Sequence, residues 1–384
     1  MALIKISDLK VGMKIGKNVY NKDGVLLLEK EVRISSPKQV DILMKEGIKY
    51  VNATLPGVTV DEERVNEVTK TIDATEMVLN DITAKIESAR AQINKVVNLT
   101  GEIFNKVIDE NNINEEMGQK SKAIVNDYIV DIEANSEIYA SLEEIKDKDQ
   151  NLLNHSVHVC TNALLLGMHL NFKKEELIRL GTAALLHDMG KIKIDNRILS
   201  KIGMLTEAEQ KELAKHPGFS EYYLRKMGNM DEETIHYILM HHEYYNGSGY
   251  PQGVLNTELN QLILVTSNIY NNLIANADIS RRVSPVIALR KMNEMVDKEI
   301  SREIYMNLLE TIGFYPVGTL VQLENGDVGK VIMQNKSEPQ HPKVLIKFDR
   351  YRNPKTKIVD TSLKTRAGSA SKYLYRIVKV IDTR

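Results

Sequence analysis

The chain has 384 residues, 42% of them hydrophobic and 27% charged, with a formal net charge of −1. That is apolar material for two or three packed domains, and a balance that gives no global reason to expect nucleic acid or a membrane as partner. The longest apolar runs, such as Ala163-Leu164-Leu165-Leu166, fall far short of the roughly 20 residues a bilayer span needs, and the single cysteine, Cys160, excludes an intrachain disulfide.

Residues 1–56 read as a small α/β module. Asn18 to Leu28 places Asp23-Gly24 between two apolar runs, a hairpin signal. Pro37 to Gly47 predicts a short helix with Val40, Ile42 and Leu43 on one face and Gly47 as its stop. Residues 57–140 form a helical segment. Val65, Val68, Ile72, Val78, Ile82, Ile86, Ile93 and Val97 recur at helical spacing as a narrow stripe. Such a stripe suits packing within one bundle, or a homodimer through the helices of 60–137 that couples the first module to the rest of the chain.

Residues 141–313 are helical with marked ends. Thr206 to Glu209 is a capping box, and Ser284-Pro285 an N-cap followed by an N1 proline. The run from Asn246 to Gly253 holds three glycines and a proline, which excludes a helix. After Gly313 the apolar period changes to two. Thr319, Val321 and Leu323 alternate, Asn325-Gly326 makes a turn, and Val328 to Met333, Val344 to Ile346 and Tyr373 to Ile381 read as strands. Residues 314–384 are therefore a small barrel-like or curled β domain. It carries a surplus of Lys and Arg over Asp and Glu, either a solvated surface or a site for an acidic partner. The start of the chain shows no signal-peptide pattern, so a cytoplasmic protein is expected.

Eight of the nine histidines lie between His155 and His242. His158, His169, His236 and, further on, His341 read as structural. The other five sit in Asn154-His155-Ser156, Leu186-His187-Asp188-Met189-Gly190-Lys191, Lys215-His216-Pro217 and Met240-His241-His242-Glu243. Imidazole is the commonest ligand for divalent transition metals. Five imidazoles and one carboxylate are too many for one four-coordinate ion and about right for two that share a bridging group. Asp188 is the candidate bridge, His155 and His187 the ligands of a first ion, and His216, His241 and His242 those of a second. Adjacent residues point about 100° apart on a regular helix, so His241 and His242 can both ligate only at a frayed end. Nitrogen and oxygen ligation suits iron or manganese, with zinc, cobalt or nickel as alternatives. Lys191, three residues past Asp188 and after a helix stop at Gly190, can offset phosphate charge.

The run His241-His242-Glu243-Tyr244-Tyr245-Asn246-Gly247-Ser248-Gly249-Tyr250-Pro251, preceded by the His187-Asp188 motif, resembles the signature of HD-GYP domains. These are all-helical members of the HD phosphohydrolase superfamily that hydrolyse cyclic dinucleotides, chiefly cyclic di-GMP. The resemblance covers roughly residues 153–313. It implies a mainly α protein, in which an HD-type catalytic bundle is flanked by the N-terminal module with its helical linker and by the C-terminal β domain. It also implies a cyclic dinucleotide substrate, hydrolysis of cyclic di-GMP to linear pGpG by water activated between two metal ions, a catalytic Lys191, and a substrate wall formed by Gly249, Tyr250 and Pro251.

The chain departs from the family pattern in one helix. Asn268 stands where members place a metal-ligating Asp, and Asn271 where they place a further Asp. Leu262 and Ala277 replace arginines, with Arg281 and Arg282 close to the latter, the loop's usual Asp is Asn246, and Asn151 stands where some members ligate a third ion. Asn268 can still coordinate through its carbonyl oxygen, though as a neutral and weaker ligand. Two readings remain open: an active cyclic di-GMP phosphodiesterase with a softened first metal site, or a receptor that binds ligand and partner with little turnover.

Overall fold

A computed structural model describes residues 2–54, 62–108, 113–140, 152–275, 282–335, 337–367 and 370–381. Asn151, Ala277 and Arg281 lie outside the described residues. The chain divides into two compact units, Met1–Asp81 and Ile82–Arg384.

In the first unit, strands β1 (Ala2–Lys5), β2 (Lys14–Ile15) and β5 (Tyr50–Thr54) form an antiparallel sheet in the order β1-β5-β2. β3 (Val19–Tyr20) and β4 (Leu26–Leu28) make the expected hairpin, with Asn21 Oδ1 accepting from the amides of Asp23 and Val25. Helix α1 (Pro37–Lys45) buries Val40 and Leu43. Ile42 was expected on the same face but is 53% exposed. It follows Asp41, and successive helical residues turn by 100°, so a stripe through 40 and 43 leaves 42 on the flank.

The described residues of 60–137 form two helices, α2 (Glu62–Ile108) and α3 (Glu115–Tyr139). The unit boundary falls within α2. From Ala89 onward the α2 stripe is buried in its own chain: Ala89, Ile93, Val96, Ile103, Phe104 and Val107 belong to the main core. The bundle continues through α4 (Leu152–His169), α5 (Lys174–Leu186), α6 (Asn196–Leu199), α7 (Glu207–Leu213), α8 (His216–Met227), α9 (Glu232–Leu239), α10 (Leu259–Ile274), α11 (Pro285–Met295) and α12 (Arg302–Ile312). The α7 capping box forms, with Thr206 Oγ1 accepting from Glu209 N and Glu209 Oε2 accepting from Thr206 N. Pro285 opens α11, while the Ser284 side chain makes no cap bond.

Five strands, β6 (Leu320–Leu323), β7 (Val328–Met333), β8 (Lys343–Phe348), β9 (Pro354–Asp360) and β12 (Ile377–Val380), form an antiparallel sheet in the order β12-β6-β7-β8-β9. β10 (Lys364–Ala367) pairs with β11 (Ala370–Tyr373) in a separate two-stranded sheet. The expected strand from Tyr373 to Ile381 is thus split between β11 and β12. Among the described residues no pairing joins β9 to β12, so they form an open sheet with Val321, Leu323, Val331, Val344, Ile346 and Val359 as its core. The protein is mainly α, with sheets at both ends of the chain. Among the described residues, no helix is long and apolar enough to cross a membrane.

Candidate metal centre

Helix ends build this site. His155 lies in the first turn of α4, His187 and Asp188 follow the last residue of α5, His216 opens α8, and His241 and His242 lie just beyond α9. The last carbonyls of a helix keep lone pairs that no helical amide uses, and three of these histidines use them. His187 Nδ1 donates to Ala184 O of α5 at 2.7 Å, His216 Nδ1 to Leu213 O of α7 at 2.6 Å, and His241 Nδ1 to Ile238 O of α9 at 2.5 Å. His155 Nδ1 donates instead to Asn271 Oδ1 of α10 at 2.7 Å. Each bond fixes the tautomer and turns Nε2 inward.

Those Nε2 atoms surround Asp188, whose side chain is 1% exposed. Its two oxygens divide the imidazoles. Oδ2 lies 3.5 Å from His155 Nε2 and 3.4 Å from His187 Nε2. Oδ1 lies 3.2 Å from His216 Nε2 and 3.8 Å from His241 Nε2. The potential donor atoms of His155, His187 and Asp188 lie within 4.8 Å of one another, and so do those of Asp188, His216, His241 and His242. His155 Nε2, His187 Nε2 and Asp188 Oδ1 are buried with no hydrogen-bond partner. Stranding such atoms costs about 1–3 kcal/mol each. Inward-facing, unpartnered nitrogens around a carboxylate are what a divalent cation satisfies, so the residues present fit a metal site.

The electrostatics agree. Burial pushes the His155 imidazole down to about 3, and burial followed by neighbouring imidazoles pushes His241 and His242 well below 6.5. These rings are neutral at pH 7, the form that binds metal. Burial on its own would raise the Asp188 carboxyl; the neighbouring His187 and the Lys191 ammonium overcome it and hold Asp188 well below the usual carboxylate range. Lys191 Nζ sits 2.6 Å from Asp188 Oδ2, with 22% of its side chain exposed.

Gly190 does not stop the helix, because α5 ends at Leu186 and Gly190 lies in the short 3-10 turn Met189–Lys193. It permits a close approach. A Cβ there would collide with His216 O, Ser220 N and Phe219 Cβ. Ser220 Oγ accepts from Gly190 N and donates to His187 O, both at 2.8 Å, clamping the His187-Asp188 turn to α8.

The glycine loop lies against His242. The Tyr250 ring stacks on that imidazole at 4.6 Å and 18°, and Tyr250 N donates to His242 O at 3.0 Å. At Gly249, expected in the substrate wall with Tyr250 and Pro251, a Cβ would strike His242 O, Tyr244 N and Glu243 Cα, so the glycine admits the chain's own backbone. Burial raises the Tyr250 phenol, which stays protonated. Pro251 is exposed at the loop's outer edge. Asn246 is exposed and closes a turn, accepting from the amide and hydroxyl of Ser248.

Asn268 is 3% exposed on α10, and its Oδ1 accepts from Asn272 Nδ2 at 2.8 Å. Leu262 belongs to the main core, and Arg282 is half-buried. The histidines read as structural make local contacts: His169 with Glu310 at 3.2 Å, His236 with Glu258 at 3.9 Å, and His341 stacked on Tyr373.

Sequence reasoning noted Asn271 only as a departure from the family pattern and assigned no role to Ser220 or Glu243. Glu243 is fully buried, and its carboxylate accepts from the amides of Gln252, Gly253 and Val254. A carboxylate placed directly before a glycine-rich loop was the available signal, because such loops expose amides that an anion can gather.

Residues 141–304 match the HD domain family model. The chain is 29% identical over 210 residues to the cyclic di-GMP phosphodiesterase PA4108 of Pseudomonas aeruginosa, covering 54% of this chain and 50% of that protein. It is 31% identical over 164 residues to the 3'3'-cGAMP-specific phosphodiesterase 3 of Vibrio cholerae, covering 42% and 35%. The chain thus spans half or less of these relatives' length. Its fold is similar to that of Bd1817, an HDG"Y"P protein from Bdellovibrio bacteriovorus, with a TM-score of 0.50 and 20% identity over 80% of this chain and 97% of that one. The helical bundle and its His-Asp cluster define an HD-type domain. The Gly249-Tyr250-Pro251 loop stacked on His242 is the further feature in which this region is similar to HD-GYP domains.

Proposed function

We propose that this protein is a metal-dependent phosphodiesterase that hydrolyses cyclic di-GMP to linear pGpG. The observation that carries the reading is the division of Asp188, one oxygen facing His155 and His187 and the other facing His216 and His241. On this reading His155, His187 and Asp188, with Asn268 as a weak neutral ligand, hold one divalent ion, and Asp188, His216, His241 and His242 hold a second. Iron or manganese suits that donor set. Ions bound there supply Lewis acidity and lower the pKa of water.

The chain's own groups supply the rest. Lys191 reaches Asp188 from the solvent-accessible side, where its ammonium can meet a phosphate oxygen and offset developing charge. Tyr250 presents a protonated hydroxyl and one ring face beside His242, so Gly249, Tyr250 and Pro251 form the substrate wall. Glu243 holds that wall in register by gathering the amides of 252–254.

The same proposal divides the chain into a regulatory module (1–56), dimerising helices (57–140), the catalytic domain (141–313) and an accessory β domain (314–384), in a cytoplasmic homodimer. The test is anaerobic reconstitution with Fe²⁺ or Mn²⁺, elemental analysis of the same sample, and turnover of cyclic di-GMP and 3'3'-cGAMP. Linear pGpG from cyclic di-GMP, abolished by Asp188→Ala, is expected. Two bound ions without turnover of either compound would reject the enzyme in favour of a receptor.

A further inference from the structure

A second surface with its own chemistry lies on the C-terminal sheet. The strand registers pair Lys379 with Gln322, Gln322 with Val328, Val328 with Phe348, and Phe348 with Pro354. Paired residues share a face, so these five make one row across the sheet. At 4.7–4.9 Å per strand the row is about 19 Å long. A cleft of about 460 Å³ opens on it, with Arg350, Arg352, Lys379 and Phe348 among its lining residues.

Its rim is aromatic and cationic. Phe348 is 46% and Tyr351 70% exposed, and the Arg350 guanidinium lies 4.7 Å from the Tyr351 ring centroid. The Arg350-Tyr351-Arg352 tip is a built turn. Asp349 Oδ1 accepts from the amides of Tyr351 and Asn353, both at 2.8 Å, and Asp349 Oδ2 accepts from Asn353 Nδ2 at 3.1 Å. Arg352 is held at a φ of 66°, a left-handed conformation an arginine adopts only under such restraint.

The acidic groups lining or adjoining the cleft are already engaged. Asp349 is committed to the turn, and Asp327, 5% exposed, accepts from Lys355 Nζ at 2.7 Å and Asn325 Nδ2 at 3.1 Å. Among the described residues, no carboxylate pairs with Arg350, Arg352 or Lys379. Unpaired cations beside exposed ring faces complement a single strand, with phosphates on the cations and bases stacked on the rings. A duplex keeps its base faces covered, and a lipid headgroup gives the rings nothing to stack on.

We propose that this face of the β domain binds single-stranded nucleic acid along a track of about three nucleotides, separately from the reaction at Asp188. The test uses the full chain and a fluorescein-labelled 12-mer oligouridylate, read by anisotropy across a salt titration. Saturable binding is expected, with log K falling against log salt at a slope of about −2, from three phosphate contacts at about 0.7 each. The double variant Arg350→Ala, Arg352→Ala should flatten the slope by about 1.4. Tyr351→Ala and Phe348→Ala should each weaken binding about tenfold with the slope unchanged. The proposal is overturned by an absence of binding at low salt, by equal affinity for a duplex of the same length, or by aromatic variants that bind like the parent. The last of these would mark simple polyanion adsorption. Tight binding to phosphatidylglycerol vesicles that the oligonucleotide cannot displace would likewise overturn it.

Discussion

His155 differs from the other anchored imidazoles in its partner. His187, His216 and His241 each lean on a helix-end carbonyl, which no side-chain substitution removes, whereas His155 depends on the amide of Asn271. Replacing the partner that orients a metal-binding histidine typically costs 10–100-fold in metal affinity. Asn271→Leu, similar in volume but without an acceptor, should therefore weaken binding at the His155 half of the proposed two-ion site by about 10–100-fold, leaving the other half unaffected, as titration calorimetry of the metal-stripped protein can show. Asn268→Asp keeps the acceptor for Asn272 and adds the missing charge, so metal retained after gel filtration should rise; unchanged retention would remove Asn268 from the ligand set. The depressed imidazoles also fix a pH response. In the unfolded chain these rings take a proton near 6.5, while folded His155 resists until about 3. Below pH 6.5 the unfolded state therefore binds more protons, and stability falls as pH drops through that window. The metal-stripped protein should melt several degrees lower at pH 5.0 than at pH 7.5, and equal melting at both would show that the rings are not held neutral.

At the scale of elements, the site depends on how closely the turn after α5 approaches α8. Gly190 permits that approach, since a side chain there meets backbone of His216 and Ser220 that cannot swing aside. Gly218, on the same α8, has nothing within 4 Å of its Cβ position. Gly190→Ala should destabilise by about 3 kcal/mol and release the His187-Asp188 turn from Ser220. Gly218→Ala should be neutral or stabilising by up to about 1 kcal/mol. Thermal melting of the two variants side by side checks both, and equal losses would show that the close approach is not what Gly190 provides. The pair also marks where sequence reading stops. The order of the five histidines and the glycine loop were legible because each is a local pattern, and the frayed end of α9 was implied by two adjacent ligands. That Gly190 faces another helix, and that Leu213 O anchors His216, depend on where α7 stops and how α8 lies on the turn. Composition carries neither. Tyr250 could be read as a ring beside the site, but its stacking on His242 depends on Gly249 seating the loop against the His242 backbone.

At the scale of the molecule, the apolar stripe of 60–137 divides in two. Ile82, Ile93, Val96, Ile103 and Val107 are 7% exposed or less, and from Ile93 on they pack in the chain's own core, so this part of the stripe reads as bundle packing. Upstream, Met77 is 73% and Val78 42% exposed on the same helix. Exposed apolar residues on a long helix are what a second copy would cover. The proposed homodimer is therefore expected to use the exposed stretch around Met77 and Val78 rather than the buried stripe residues from Ile93 on. The two halves should respond differently to charge. Met77→Lys with Val78→Asp should convert a dimer to a folded monomer, read as a halved mass by light scattering with the melting of the bundle unchanged. Ile93→Asp should instead bury a carboxylate without a partner and unfold the bundle. A parent protein that stays monomeric at high concentration, or a Met77/Val78 variant that stays dimeric, would rule out this helix as the joint between copies.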